Sequence, residues 1–300
     1  MPTRVSSQSK LNVLTSPVLK LPSVVHGFST RPGGASTVYG GRSLNLGLTA
    51  HDTRRAVENN RAAFLRALGA RNSEGQLWPL VTMRQIHSDL IHHVSSAPEH
   101  PLVGDGLITA TPGLVLAVQT ADCLPVILVD AKRGAVGVFH AGWRGTVKRI
   151  VEKGVGEMRR WFGTSPRDLR AAIGPGVHAC CYKVGDEVRV KFESQFDYAG
   201  DLFHEVKESD PVREKYPLLF LTARAPGHSE LPTSLFLDLV EANRRQLLAA
   251  GVPAKQIAAS ELCTSCRTDL LFSHRAENGK TGRMLAAAGL RRAVKRRAKR

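Results

Sequence analysis

Two short apolar runs constrain this chain more than any other feature. Between Gly113 and Asp130 the sequence reads LVLAV, a polar break QTADCL, and then PVILV. Both runs are short and rich in Val, Leu or Ile, the pattern of strands buried on both faces. A third run, AVGVFHAG, follows a Lys-Arg-Gly turn and reads as the next strand. Helical periodicity accompanies them. From Thr146 to Phe162, Val147, Ile150, Val151, Val155 and Met158 recur at spacings of three and four, while Lys148, Arg149, Glu152, Lys153 and Glu157 face away. Asp52 to Leu68 predicts another helix, with Asp52 as N-cap, Val57, Phe64, Leu65 and Leu68 on one face, and Gly69 past its end. A third, Leu237 to Ala250, closes at Gly251 and Pro253. Hairpin-like neighbours mixed with crossovers give one α/β domain as the simplest architecture.

Three hundred residues can bury a substantial core. No stretch of about 18 apolar residues occurs, which excludes a helical membrane span. Residues 1–20 lack the apolar segment of a secretory signal, so the expected location is the cytoplasm. Five cysteines, an odd number, fit a reducing compartment better than a disulfide framework. Their thiols are then buried groups, metal ligands or nucleophiles. The formal charge of +16 is concentrated: RRAVKRRAKR at the C-terminus holds seven basic side chains and no acid. Such a run is a solvated tail with non-specific affinity for anions, and no motif for sequence-specific nucleic-acid recognition accompanies it.

Three polar residues interrupt the strand-like segments: His87 in MRQIHSD, Cys123 in QTADCLP and His140 in VFHAGWRG. Two imidazoles and a thiolate match the three-ligand pattern of catalytic zinc, which leaves a fourth position for water. The same set serves blue copper, usually with a weak axial Met, for which Met83 is the nearby upstream candidate. A competing zinc pattern joins His228-Ser229-Glu230 to Cys263-Thr264-Ser265-Cys266, with Leu262 where the deaminase signature wants proline. After His140 the chain runs through Ala-Gly-Trp-Arg-Gly toward the strongest helix. A phosphate there could meet backbone N–H groups and Arg144, with Gly142 and Gly145 permitting close approach. Arg31, before a Pro-Gly-Gly turn, is a second basic candidate. Asp122 is a candidate ligand-orienting group or general base if the strand ends there. Asp105 in VGDGLIT and Asn45 in SLNLGL are weaker candidates, while His92, His93 and His100 read as loop residues.

Taken in order, HGFSTRPGG, SLNLGL, QIHS, GDGLIT, PGLVLAVQTADCLPVILVD, HAGWRGT, IGPGVHACCYKVGDEV, CTSC and FSHRAENGKTGRM resemble one group of proteins. This is the YfiH-type laccase-domain family, also described as multicopper polyphenol oxidases and as purine nucleoside phosphorylases. The resemblance spans about His26 to Leu290 and implies an α+β fold: a single-domain four-layer α/β/β/α sandwich with mixed β-sheets. Residues 1–20 are then a loosely ordered lead-in, 21–290 the catalytic domain and 291–300 the basic tail. It further implies zinc, with copper possible, on His87, Cys123 and His140. The implied activity is phosphorolysis of adenosine, inosine and 5′-methylthioadenosine, with adenosine deamination beside it. Purine nucleosides and phosphate are the implied partners. Arg31, Asn45 and Arg144 are expected to bind substrate, and Asp122 and Cys123 to act in catalysis. Lys183, His274 and Ala276 depart from the family's usual Glu, Tyr and Arg. Alternatives from other classes are a copper-dependent phenol oxidase, a thiol or metal hydrolase editing cell-wall precursors, and a non-enzymatic role for the tail.

Overall fold

The runs LVLAV, PVILV and AVGVFHA form three strands, but the first belongs to one sheet and the other two to another. They are β9 (Val115–Thr120), β10 (Leu124–Asp130) and β11 (Ala135–Ala141). The computed structural model describes residues 11–207, 215 and 233–292. The chain forms two compact units, Met1–Val177 with Leu239–Arg300, and His178–Asp238.

In the larger unit one sheet has the order β1 (Val13–Leu14), β2 (Val24–Ser29), β17 (Met284–Leu290), β9, β4 (Leu80–Val81). The other runs β16 (Ile257–Ala259), β12 (Leu169–Ile173), β10, β11, β8 (Gly106–Thr109), β6 (Ile91–His93). Both are mixed: β4 joins β9 in parallel, as β16 joins β12 and β6 joins β8, and the remaining pairs are antiparallel. Strand β3 (Pro32–Ser36) lies against α1 (Arg54–Leu68), and β5 (Met83–Arg84) pairs with β7 (Leu102–Val103).

Alternation within each strand assigns the layers. Leu116, Val118, Ala286 and Ala288 of the five-stranded sheet meet Leu107, Ile127, Val129, Val136 and Val138 of the six-stranded one. The opposite face, with Val115, Ala117, Leu285 and Ala287, packs on Phe64 and Leu65 of α1. On the far side, α3 (Ile150–Phe162) lies on β11, and α5 (Leu239–Ala249) lies beside α3. Helix, sheet, sheet, helix is the four-layer order that the resemblance implies. Gly154 lets α3 sit close to β11, because a Cβ there would stand 2.5 Å from the Phe139 ring. The smaller unit holds β13 (Lys183–Val184), β15 (Thr233–Leu237) and β14 (Phe203–Lys207) in that order, with α4 (Asp186–Glu193). None of the described helices is long and apolar enough to cross a membrane.

Local chemistry differs from expectation in three places. Thr53, not Asp52, caps α1, accepting from the Ala56 amide, while Asp52 accepts from Ser36 Oγ and Asn45 Nδ2. The helix expected over Thr146–Phe162 is two: α2 (Trp143–Val147) and α3, broken where Arg149 turns left-handed at φ 61°. Leu237 ends a strand rather than starting a helix, and α5 begins at Leu239. Of the expected lead-in, residues 11–20 carry β1 and a 3₁₀ turn whose Leu19 is fully buried.

Phe139 is wholly buried at the contact of β11 with α3. Phe139→Ala is expected to cost about 3–5 kcal/mol of stability, read by denaturant unfolding. A loss below about 1 kcal/mol would contradict this packing.

Candidate metal centre

The chain changes sheets between Thr120 and Leu124, and this crossing places Cys123. A regular strand would send Asp122 and Cys123 to opposite faces. Here Asp122 instead takes φ 93°, a left-handed value rare for any residue but glycine. His140 lies at the adjoining end of β11, where the hairpin register pairs it with Pro125. His87 comes from the loop between β5 and β6 and is also left-handed, at φ 56°. Strained residues of this kind persist where surrounding structure holds them.

The three side chains converge. One ligand atom from each of His87, Cys123 and His140 lies within 4.8 Å of the others. Cys123 Sγ is 3.9 Å from His87 Nε2, and the two imidazole rings stand 5.0 Å apart at 67°. Donors bound to one tetrahedral zinc stand about 3.5 Å apart, so a small contraction would close this set around an ion. Gly142 keeps the space open: a Cβ there would come within 2.8 Å of Cys123 Sγ and 3.1 Å of His87 Cδ2. The donor set and the cradle both fit a metal ion.

Behind these three side chains sits Asp105, fully buried. Its Oδ1 accepts from His140 Nδ1 at 2.8 Å and from the His87 amide at 3.1 Å. Its Oδ2 accepts from the amides of Ile86 at 3.2 Å and Ser88 at 2.6 Å, and from Ser88 Oγ at 2.6 Å. One carboxylate therefore orients the ring of His140 and the backbone of His87. With Nδ1 donating to Asp105, Nε2 of His140 is the atom left for the centre. Burial pushes the Asp105 carboxyl up, but hydrogen bonds from His140 and Ser88 outweigh it and bring the pKa to about 2. Burial likewise raises the Cys123 thiol, and the charge and hydrogen bonds of His140 and His87 bring it down to about 6. Burial lowers His140, while the Cys123 thiolate and Asp105 raise it to about 9. In the metal-free centre these shifts favour the thiolate of Cys123 and the charged form of His140.

The other sequence candidates are placed as follows. Arg144 is exposed on α2, its guanidinium 4.3 Å over the neighbouring Trp143 ring. Arg31 donates to the carbonyls of Thr268 and Tyr39, pairs with Glu277 at 2.9 Å and lies over Phe272. Asn45 is fully buried, donating to Gly47 O and Asp52 and accepting from the amides of Gly47 and Arg283. Asp122 accepts from Thr264, Ser273 and the Arg275 amide. Gly145 packs on backbone atoms of Ser88 and His140, and α2 has only five residues, too few for a helix-end anion site. His92 and His93 are strand residues of β6, not loop residues. Met83 packs in the apolar core between the sheets. His228–Glu230 lie outside the described residues, whereas His274 and Ala276 are exposed in the loop before β17 and Lys183 is exposed on β13. Ser88 and the central place of Asp105 are what sequence reasoning missed. The available signal was an Asp between glycines at the start of a buried strand.

The pH dependence of Cys123 follows from this electrostatics. In metal-free protein, alkylation of the Cys123-containing peptide by iodoacetamide, read by mass spectrometry, should rise through a midpoint near pH 6. The thiolate is the reactive form, so the rate is full above that midpoint and falls below it. Asp105→Asn removes the anion that holds the imidazolium and moves the midpoint upward. An ordinary midpoint of about 8.5 in the native chain would contradict the pairing.

Residues 25–291 match the sequence model of a family described as multi-copper polyphenol oxidoreductase laccase. The purine nucleoside phosphorylase YlmD of Geobacillus stearothermophilus is 38% identical over 283 residues, covering 88% of this chain and 92% of that protein. The adenosine deaminase RL5, from an unknown prokaryotic organism, is 39% identical over 179 residues, 60% of this chain and 59% of its own. The crystal structure of the YfiH protein of Bacillus licheniformis superposes with a TM-score of 0.73 at 37% identity, covering 91% of this chain and 98% of that one. The chain belongs to the laccase-like family of YfiH and YlmD.

Proposed function

We propose that this protein is a zinc-dependent purine nucleoside enzyme. It cleaves adenosine, inosine and 5′-methylthioadenosine with phosphate, giving the free base and ribose 1-phosphate or its methylthio analogue, and it also deaminates adenosine. The observation that carries the reading is the convergence of His87, Cys123 and His140 in front of the Asp105 carboxylate. Relatives named purine nucleoside phosphorylase and adenosine deaminase support it. The reading puts the protein in the cytoplasm, where its thiols stay reduced.

When bound, zinc supplies Lewis-acid polarisation of an oxygen at its open position. The chain supplies the rest. Asp105 fixes the His140 ring so that Nε2 faces the centre, and the Cys123 thiolate adds negative charge. His87, the exposed member of the three, marks the side open to substrate. Exposed Ile86 and Leu90 bracket its loop and offer apolar surface to a flat purine. Arg144, on the turn that carries Gly142, is the group we assign to phosphate, its planar fork suited to two oxygens. In phosphorolysis a phosphate oxygen bonds to ribose C1 as the bond to the purine nitrogen breaks. Arg31 and Asn45, whose polar atoms are bonded within the chain, serve the frame of the site.

A second reading draws on the thiolate–imidazolium pair, which is also the resting state of a thiol hydrolase, the class that includes editing of cell-wall precursors. Copper in place of zinc, with phenol oxidation, is the reading the family's description favours. A multicopper centre draws on many histidines, and among the described residues one histidine-containing cluster forms.

Product analysis separates these. Purified protein of known metal content should release adenine from adenosine only when phosphate is present, and inosine without it. His87→Ala should lose one metal equivalent and both products. Arg144→Ala should raise the KM for phosphate about tenfold and leave that for adenosine nearly unchanged. Neither product from zinc-loaded protein would overturn the reading, and turnover that survives metal removal and dies on alkylation would move it to the thiol hydrolase.

A further inference from the structure

Two motifs that the metal centre does not use, CTSC and FSHRAENG, meet at Asp122. Its Oδ1 accepts from Thr264 Oγ1 and from Ser273 Oγ, each at 2.7 Å, and its Oδ2 accepts from the Arg275 amide at 2.7 Å. Asp122 is 8% exposed, and Thr264 and Ser273 are fully buried. The frame continues outward. Ser273 Oγ also accepts from the Ala276 amide, Glu277 accepts from the Ser273 amide, and Glu277 pairs with Arg31. At the other end, the carbonyl of Asp122 accepts from the Val177 amide at 2.7 Å, and the Thr264 amide donates to Gly176 O. All of this converges on a residue of left-handed backbone, one position before the thiol ligand.

A general base needs a lone pair open to the reacting atom. In Asp122, Oδ1 is taken by two hydroxyl donors and Oδ2 holds the Arg275 amide, all from its own chain, in a residue only 8% exposed. We infer that Asp122 is a positioning residue: its carboxylate clamps the Cys263–Arg267 and Phe272–Glu277 segments and so holds the sheet crossing that presents Cys123. It moves no proton in turnover. The clause on turnover rests on the nucleoside reading above, and the clamp itself does not. Arg31 belongs to the same frame, its pair with Glu277 tying the outer end.

Asparagine can keep this clamp. Its oxygen can face the Arg275 amide while its NH2 donates to the Thr264 and Ser273 hydroxyls, which rotate to accept. The experiment compares native protein with Asp122→Asn, Asp122→Ala and the double variant Thr264→Val/Ser273→Ala. Three quantities are read on each: hydrogen exchange of the Arg275 amide, the alkylation rate of Cys123, and kcat with adenosine and phosphate. Asp122→Asn should stay within about threefold of native in all three, as an exchange of one satisfied polar group for another. Asp122→Ala should exchange the Arg275 amide at least about tenfold faster, with Cys123 alkylation altered and kcat lowered together. The double variant should shift alkylation and kcat in the same direction, although neither residue is a metal ligand. Native exchange and alkylation in Asp122→Asn with kcat down about a hundredfold or more would overturn the inference and make Asp122 the proton carrier. Unchanged exchange in Asp122→Ala would also overturn it. If native protein turns over no purine nucleoside, the functional reading fails, while exchange and alkylation still decide the clamp.

Discussion

The carboxylate of Asp105 is the interaction on which the site depends. A buried carboxylate survives only where donors replace its lost hydration. Here the donors are three consecutive amides, Ile86 to Ser88, the Ser88 hydroxyl and the ring of His140. Satisfying Asp105 therefore folds the His87 loop and orients His140 at the same time. Its negative charge also sustains the imidazolium that lowers the Cys123 thiol. The same carboxylate serves the loop and the charge balance of the centre, and a neutral side chain at this position would lose the charge.

The layered fold explains why the site lies where it does. Two mixed sheets share an apolar interior, and the chain must pass from one to the other between β9 and β10. The passage takes only Ala121, Asp122 and Cys123, so the turn is sharp and one residue leaves ordinary backbone space. Cys123 is thereby delivered to the end of β11, where His140 waits at the adjoining register position. Gly142, just beyond, is the position where any side chain would fill the centre.

Much of this was legible in the sequence. Cys123 and His140 stand out as polar residues beside or within apolar runs that are strands, whereas the segment around His87, expected to be strand-like, is the loop between β5 and β6. Helix periodicity located α1, α3 and α5 to within a few residues. What local pattern could not supply was pairing at long range. LVLAV and PVILV follow one another in the chain, yet β9 pairs with β17 from the far end of the chain, and the two runs lie in different sheets. The break at Arg149 is invisible because its left-handed backbone carries no glycine or proline. Sequence alone favours Asp122 as the general base and ranks Asp105 as the weaker acid. Only their donors, drawn from distant segments, separate the one that orients ligands from the one that clamps loops.

One metal ion is proposed to sit among His87, Cys123 and His140. Anomalous diffraction at the zinc edge, from crystals of zinc-loaded protein, tests it by position. The expected result is a peak about 2.0–2.1 Å from one nitrogen of each of His87 and His140 and about 2.3 Å from Cys123 Sγ. Crystals holding zinc with no anomalous density between these three side chains would contradict it.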